Sequence, residues 1–391
     1  MKTMMLATAL LSAAALAPLA SALDAGAPER WILGVYEMPD VRPGDVYHLG
    51  TVVAMDADLR YVVVETANAP AVRASALTDA NVRYVEYDDP AWAHLLYTPN
   101  DPKWTDAGHY GPKIIGATVA WDKTLGSTAV KVGVLDTGIR RDHEDFVGGR
   151  VLQGWDFYNN DNNPNDEGGM CSYHGSHTAG TVGATTGNGK GMAGMAQVTL
   201  LPVKAFGGFF CGGSTTALAN GLKYIADQGG HVSSNSWGSS ASSSTFNSAI
   251  DYAHGKGTIH VAAAGNSGSC TDCVSYPWKD RPAVTIVVSA IDSSSAFASF
   301  SSQGPQVDVA APGVGVLSVN GGGTTGYKLL DGTSMACPHV SGVVALVKTL
   351  NPSFSFSQVE GRLTSTADDL GPAGKDDRFG YGRVDAAGAV Y

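Results

Sequence analysis

Strand-like and helix-like segments alternate along most of this 391-residue chain, and this alternation restricts the fold more than any other feature. Short apolar runs typical of buried strands cover residues 130–135, 200–206, 232–237, 258–264 and 283–290. Helical patterns separate them, such as the one that Ser214 caps and Gly229 ends. Because helices between parallel strands cover the sheet, the sequence predicts an α/β fold with a mostly parallel central sheet and helices on both faces.

Four polar residues stand where predicted elements begin or end. Asp136 ends the first apolar run, His174 and Ser334 each open a predicted helix, and Asn266 follows another strand. An acid can orient an imidazole, the imidazole can deprotonate a hydroxyl, and the hydroxyl can attack a carbonyl. An amide side chain can donate to the oxyanion that forms. Taken alone, Ser334 is better explained as a helix cap than as a nucleophile, so the hypothesis depends on the whole set.

Four motifs that contain these residues resemble the subtilases, and among them thermitase-like enzymes. The motifs are Asp-Thr-Gly at 136–138, His-Gly-Ser-His at 174–177, Gly-Asn at 265–266 and Gly-Thr-Ser-Met-Ala-Cys-Pro-His at 332–339. Residues 97–391 share the resemblance, which implies a serine endopeptidase with Asp136, His174 and Ser334 as its triad and Asn266 at its oxyanion site. Ser176 and Cys337 depart from the family pattern but keep small side chains. We expect His177 to pack rather than react.

The sequence of the N-terminal quarter of the chain predicts two segments that are removed by proteolytic cleavage. Residues 1–22 have the basic start, apolar core and small-residue end of a cleaved secretory signal, with a retained anchor as the alternative. Residues 23–96 contain alternating segments at 31–36, 50–54, 61–65 and 82–86 that predict a small α+β unit. The resemblance implies an inhibitory propeptide cleaved after Leu96, a secreted self-processing zymogen and a monomeric catalytic domain at 97–391. A permanent N-terminal domain is the alternative.

The resemblance also implies where a peptide substrate lies. Residues 236–238 (Ser236, Trp237 and Gly238) and Gly212 would flank an extended peptide, whose main-chain hydrogen bonds explain a broad specificity. Small residues would wall the pocket for the residue before the scissile bond: Ala263, Ala264 and Gly265. Trp237 would narrow this pocket, extend the outer apolar contacts, or pack in the core, as strand tryptophans usually do.

Calcium is the cofactor that the resemblance implies, at two sites built from the hard oxygen ligands that this ion prefers. The first site would use the side chains of Asp101, Asp145 and Asn188 and the carbonyls of Thr185, Lys190 and Met192; solvated loop acids are the alternative. A second site would use four residues of one loop, which is also typical of an ordinary Asn-rich turn. They are Asp156, Asp161, Asn163 and Asn165.

Five cysteines in a chain expected to be exported suggest disulfides and one free thiol. The resemblance favours a bridge between Cys171 and Cys211. Cys270 and Cys273 are close enough in sequence to close a small loop, since no second ligand pair for zinc is evident. Cys337 is then left as a buried free thiol.

The charge of the chain limits the partners that it can have. A formal net charge of −11 without a basic cluster argues against binding nucleic acid or an anionic membrane. Protein or peptide substrates are what the resemblance implies. Two alternatives to an endopeptidase are an inactive relative that only binds peptides and an esterase or amidase acting on small molecules. The first would normally lack a triad residue, and none is missing here.

Overall fold

The computed structural model describes residues 29–76, 78–87, 97–268 and 270–391. These residues form two compact units, one within 29–87 and the other within 97–391. The predicted signal peptide and the predicted cleavage after Leu96 lie outside the described residues, so they stay predictions. Within the described part of the chain, no helix is both long and apolar enough to span a membrane.

The N-terminal unit is a five-stranded antiparallel sheet with one helix. Its elements are β1 Glu29–Val35, β2 Val46–Tyr47, β3 Gly50–Asp56, β4 Tyr61–Thr66, α1 Ala69–Ala76 and β5 Val82–Tyr87, in the sheet order β2-β3-β4-β1-β5. Leu33, Val52, Val62 and Val64 belong to its core, with Val72 of the helix. The four alternating segments in the sequence are strands, whereas β2 is too short to show a period.

The C-terminal unit contains a seven-stranded sheet in which every strand pairing is parallel. Its strands are β6 Lys131–Asp136, β7 Trp155–Asp156, β8 Thr199–Lys204, β9 Val232–Asn235, β10 Ile259–Ala263, β11 Thr285–Ile291 and β12 Val309–Pro312, in the order β12-β11-β10-β9-β6-β8-β7. A separate hairpin joins β13 Val316–Asn320 and β14 Gly326–Leu330. The predicted fold class is confirmed. Two strands were not predicted: β7 has only two residues, and β12 is Val-Ala-Ala-Pro, in which alanine and proline are poor strand formers.

Helices cover both faces of this sheet. They are α2 Gly111–Ile114, α3 Ala117–Lys123, α4 His174–Gly183, α5 Thr215–Asp227, α6 Ser244–Gly255, α7 Thr333–Leu350, α8 Phe356–Thr366 and α9 Ala386–Val390. Short 3-10 segments lie at Pro102–Thr105, Gly169–Cys171, Trp278–Asp280 and Pro282–Val284.

Alternating side chains of β6 show how the sheet is covered. Val132 and Val134 belong to the core that contains Val340 of α7, whereas Leu135 belongs to the core that contains Leu222 of α5. This is the two-residue period of a strand that is buried on both faces. Parallel pairing also brings the C-terminal ends of all seven strands to one edge, which is where such sheets form sites.

The cysteine pairing agrees with the prediction. Disulfides join Cys171 to Cys211 and Cys270 to Cys273, and Cys337 is free and buried. Burial raises the pKa of the Cys337 thiol to about 11 despite hydrogen bonds from its neighbours, so the thiol stays protonated at neutral pH.

Candidate active site

An acid–imidazole pair lies at the C-terminal edge of the sheet. Asp136 is the last residue of β6 and His174 the first of α4, and Nδ1 of His174 lies 2.7 Å from Oδ1 of Asp136. The backbone N–H of Thr137 and the hydroxyl of Thr178 also donate to the Asp136 carboxylate, at 2.8 and 3.2 Å. Burial would lower the pKa of His174, but the charge and hydrogen bond of Asp136 outweigh it and raise the pKa above its ordinary value of 6.5.

Ser334 is held at the start of α7 by reciprocal contacts with one residue of the neighbouring strand segment. Its hydroxyl donates to the backbone carbonyl of Ser236 at 3.1 Å, and the hydroxyl of Ser236 donates to the carbonyl of Ser334 at 2.8 Å. Four residues further along the helix stands Pro338, which has no N–H to donate to the Ser334 carbonyl. The Ser236 hydroxyl therefore replaces the missing helical hydrogen bond.

Asn266 is oriented by Thr333, the residue before Ser334. Both the backbone N–H and the hydroxyl of Thr333 donate to Oδ1 of Asn266, at 2.9 and 3.0 Å. The Nδ2 group is thereby turned away from Thr333, and no acceptor for it or for the N–H of Ser334 is recorded among the described residues. A Cβ placed on Gly332 would lie 3.4 Å from Nδ2 of Asn266 and 3.5 Å from N of Ser334. Two unpaired N–H donors thus lie beside each other, as an oxyanion site requires.

Two cavities meet at residues 237–238. The larger, about 550 Å³, is lined by Ser334, Asn266, Ala263 and Gly265 and by the segment 272–276. The smaller, about 280 Å³, is lined by Asp136, His174, Phe206 and the Cys171–Cys211 disulfide. Trp237 and Gly238 line both, so the cavity at Ser334 and the cavity at the Asp136–His174 pair adjoin the same backbone segment.

The expected substrate-contacting residues have different environments. No hydrogen bond to the backbone N–H or carbonyl of Gly238 is recorded among the described residues, so both groups are unpaired there. Gly212 instead uses both backbone groups on Gly207, at 3.1 Å each. Ala264 is fully buried and belongs to the core that contains Trp278, so its side chain does not line the larger cavity. Trp237 is 8% exposed and packs on Trp278 at a ring-centroid distance of 4.8 Å.

His177 is a structural residue in this geometry. It is fully buried, and its Nε2 lies 3.1 Å from the carbonyl of Val316 and 3.2 Å from that of Lys328. Burial lowers its pKa to about 3, with a further contribution from the charge of His174, so His177 is neutral in the fold. This agrees with the expectation that it packs.

The six residues expected to bind the first calcium ion lie together. Asp101 is 3% exposed and Asp145 is fully buried. Gly187 and Asn188 donate backbone N–H groups to Asp101, while Met192 donates its N–H and Asn188 its Nδ2 group to Asp145. No hydrogen bond to the carbonyls of residues 185, 190 and 192 is recorded among the described residues.

The donor set of this first site fits calcium. Two buried carboxylates, an amide and free carbonyls are the hard oxygen ligands that the ion prefers. Burial raises the pKa of both acids, that of Asp145 to about 6, and each acid lacks an ion-pair partner in the described part of the chain. A bound cation would offset this uncompensated charge.

The second expected calcium site has a different electrostatic arrangement. Asp156 and Lys204 are both fully buried, and Oδ2 of Asp156 lies 3.1 Å from Nζ of Lys204. The backbone N–H groups of Tyr158 and Asn159 donate to the other carboxylate oxygen. Asp161 accepts from the N–H of Asn163 at 2.8 Å, and Asn165 contacts the carbonyl of Asp166. Because the lysine already compensates the buried charge, this loop does not fit calcium as the first site does. No cluster of three or more His, Cys, Asp or Glu residues suited to a metal occurs among the described residues.

Two residues important to this region were not singled out from the sequence. Lys204 ends a strand whose six residues are all buried, and a lysine in such a run is a signal for a buried ion pair. Asp166 is 2% exposed and accepts a hydrogen bond from Thr137, the residue that follows Asp136. A single acid in a polar loop carries no comparable signal, so only the tertiary structure reveals it.

Comparison with known proteins identifies one family and several similar proteases. The profile of the Subtilase family matches residues 127–382. Thermitase from Thermoactinomyces vulgaris is 40% identical over 295 residues, which are 75% of this chain and 99% of the relative. The thermophilic serine proteinase of Bacillus sp. strain AK1 is 36% identical over 333 residues, 85% of this chain and 78% of the relative.

A solved structure matches as well. A protease from Pseudoalteromonas arctica superposes with a TM-score of 0.64 at 33% sequence identity. The match covers 75% of this chain and 99% of the solved one.

Proposed function

The chain belongs to the subtilase family and is a serine endopeptidase, and from this premise we propose that Ser334, His174 and Asp136 carry its chemistry. The observation that carries the assignment is the 2.7 Å contact between Nδ1 of His174 and Oδ1 of Asp136. The cavity that this pair lines shares Trp237 and Gly238 with the cavity that Ser334 lines. An imidazole held through Nδ1 presents Nε2 as a general base.

The proposed reaction is acyl transfer to Ser334. Its hydroxyl turns from the carbonyl of Ser236 toward Nε2 of His174, which takes the proton as Oγ attacks the scissile carbonyl. His174 then returns the proton to the leaving amine, and water repeats the sequence to release the acyl group. Asp136 stabilises the imidazolium form through its charge and its hydrogen bond.

The tetrahedral intermediate carries a negative charge that Asn266 and the backbone N–H of Ser334 are proposed to bind. Support comes from their unpaired donors and from the two contacts by which Thr333 fixes the amide. Donors that are oriented before the reaction cost no reorganisation when the charge develops.

The substrate is proposed to be an extended polypeptide of broad sequence. The unpaired backbone groups of Gly238 support main-chain pairing. The cavity of about 550 Å³, with Ala263 and Gly265 in its lining, is roomy enough for a large side chain before the scissile bond. The paired backbone of Gly212 and the buried side chain of Ala264 give these two residues a supporting role in the proposal.

Structural calcium, export and self-processing complete the proposal. Calcium is assigned to the site of Asp101, Asp145 and Asn188, where buried charge is uncompensated. We further propose that the chain is secreted, that its N-terminal unit is a propeptide inhibitor removed by autolysis near Leu96, and that the mature enzyme is monomeric. The antiparallel N-terminal unit supports an independently folded propeptide.

The test compares the full chain with its Ser334→Ala variant in calcium, recording intact mass and casein hydrolysis. Ser353→Ala, at an exposed serine, is the matched control. We expect the wild type and the control to lose the segment ending near Leu96 and to digest casein, and Ser334→Ala to do neither. Loss of the segment by all three would overturn self-processing. Ester hydrolysis without casein digestion would favour the esterase alternative.

A further inference from the structure

Asp166 is a buried carboxylate for which the proposed mechanism has no step. It lies in the loop before α4 and is 2% exposed. No ion pair to it is recorded within residues 97–268 and 270–391. A buried charge without a cation is costly unless hydrogen bonds stabilise it. The groups that donate to the Asp166 carboxylate therefore show which segments it connects.

Both carboxylate oxygens of Asp166 accept hydrogen bonds from the two segments that carry Asp136 and His174. The hydroxyl of Thr137 donates to Oδ1 at 2.7 Å, and the backbone N–H of Ser176 donates to Oδ2 at 2.7 Å. The same Thr137 hydroxyl accepts from the backbone N–H of Gly175 at 2.8 Å. One carboxylate therefore links the end of β6 to the first turn of α4.

The linked residues follow the acid–imidazole pair directly. Thr137 is next to Asp136, and Gly175 is next to His174. We propose that Asp166 is a positioning residue, which fixes the separation and orientation of Asp136 and His174 by tying together the residues that follow them. This inference rests on the proposed catalytic function of that pair.

Close packing makes the link effective. A Cβ on Gly175 would lie 2.2 Å from the carbonyl oxygen of Gly138 and 3.0 Å from the Thr137 hydroxyl, so the helix begins directly against the residues after β6. With so little space between the two segments, a change in their hydrogen bonds moves the imidazole relative to Asp136. A misplacement of about 1 Å can reduce catalysis on the order of a hundredfold.

Asp166 also contributes charge near the imidazole. Burial lowers the pKa of His174, the charges of Asp136 and, to a smaller extent, Asp166 raise it, and the charge of Lys328 lowers it. Removing the Asp166 charge should therefore lower the pKa of His174. Removing a buried carboxylate elsewhere in the fold should not.

The test replaces Asp166 with Asn and uses Asp308→Asn as the matched control. Asp308 is also buried, at 5% exposed, and accepts a backbone N–H from Val287. Unlike Asp166 it has an ion-pair partner, Lys375 at 3.4 Å, but it lies directly before β12 and has no role in the proposed reaction. Both variants lose a buried carboxylate while keeping the side-chain shape. A difference between them therefore reports position and not general destabilisation.

The first readout is an NMR titration of isotopically labelled histidine in the Ser334→Ala background, with the His174 signal assigned from its loss in His174→Gln. We expect Asp166→Asn to lower the pKa of His174 by roughly half a unit to one unit and Asp308→Asn to leave it unchanged. This readout needs no activity, so it tests the inference even if the proposed function fails. Equal shifts in the two variants, or none in Asp166→Asn, would overturn the positioning role.

The second readout separates the hydrogen-bonded link from the charge. Thr137→Val removes the hydroxyl that joins Gly175 to Asp166, whereas Thr137→Ser keeps it. In the otherwise wild-type chain, we expect Thr137→Val to lower kcat on the order of tenfold with little change in KM, and Thr137→Ser to restore it. Identical kcat values for the two variants would show that the link does not position the pair.

Discussion

The hydroxyl of Ser236 donates a hydrogen bond of 2.8 Å to the backbone carbonyl of Ser334, which no backbone N–H of α7 can reach in the usual helical way. The residue four positions on is Pro338, which has no N–H. A side chain of the neighbouring segment thus completes the first turn of the helix that presents the nucleophile. This contact connects the stability of the helix start to the position of Ser334.

Ser236→Ala is expected to leave the Ser334 carbonyl without a donor and to lower the free energy of unfolding by about 1–2 kcal/mol. In a Pro338→Ala background the new backbone N–H supplies that donor, so the same substitution should cost less. Urea unfolding of the four proteins of this double-mutant cycle measures the coupling. An equal cost of Ser236→Ala in both backgrounds would contradict the account of Pro338.

Asn266→Ala is expected to lower kcat by about 100- to 1,000-fold with little change in KM, because the oxyanion loses its side-chain donor only in the transition state. Thr333→Val keeps the shape of Thr333 but removes one of the two groups that orient the amide, so a smaller loss is expected. Steady-state kinetics on one peptide substrate gives both values. A rise in KM at constant kcat would assign Asn266 to substrate binding instead.

The pH dependence of kcat/KM should follow the titration of His174. Burial acts to lower the pKa of His174, but the charge of Asp136 and its hydrogen bond together outweigh it and raise the pKa above 6.5. Because the base must be neutral, activity should be lost as the pH falls through a midpoint above 6.5. Asp136→Asn should move this midpoint to lower pH and reduce kcat by several orders of magnitude. A midpoint that does not move in Asp136→Asn would show that the loss of activity at low pH does not come from the titration of His174.

Calcium should stabilise the protein through Asp101 and Asp145. Binding to the folded state alone contributes RT ln(1 + [L]/Kd), about 2.7 kcal/mol at a hundredfold excess over Kd. We expect calcium to raise the thermal midpoint of the wild type and of Asp251→Asn, an exposed control, but not that of Asp145→Asn. The measurement is thermal unfolding with calcium or chelator in the Ser334→Ala background, where autolysis does not interfere. A full calcium effect in Asp145→Asn would exclude this site.

Lys204→Met should destabilise the fold strongly, since it leaves the fully buried Asp156 without its cation. Removing one partner of a buried ion pair typically costs about 3–5 kcal/mol. The additional change Asp156→Asn should recover much of this loss, because no unpaired buried charge then remains. Urea unfolding tests the pair, with Lys223→Met as a control at an exposed ion pair that should change little. A new calcium dependence in Lys204→Met would show that the lysine occupies the place of a second ion.

The sequence determined the fold class and the identity of the candidate catalytic residues. Short, continuous apolar runs separated by helical segments predict a sheet that is buried on both faces. The strands β6 and β10 lie at two of those runs. Asp136, His174, Asn266 and Ser334 were identifiable because their motifs fix the local backbone at an element boundary. The Cys171–Cys211 pair followed from the resemblance and the Cys270–Cys273 pair from the short spacing in the sequence, and both disulfides are formed.

Only the tertiary structure decided which distant groups complete the site. The Ser236 hydroxyl meets the Ser334 carbonyl, Asp166 meets Thr137 and Ser176, and Lys204 meets Asp156. It also directs the side chain of Ala264 into the core and pairs the backbone of Gly212 with Gly207. Periodicity and motifs specify the local backbone, but a hydrogen-bond or ion-pair partner far along the chain depends on how the folded segments pack together.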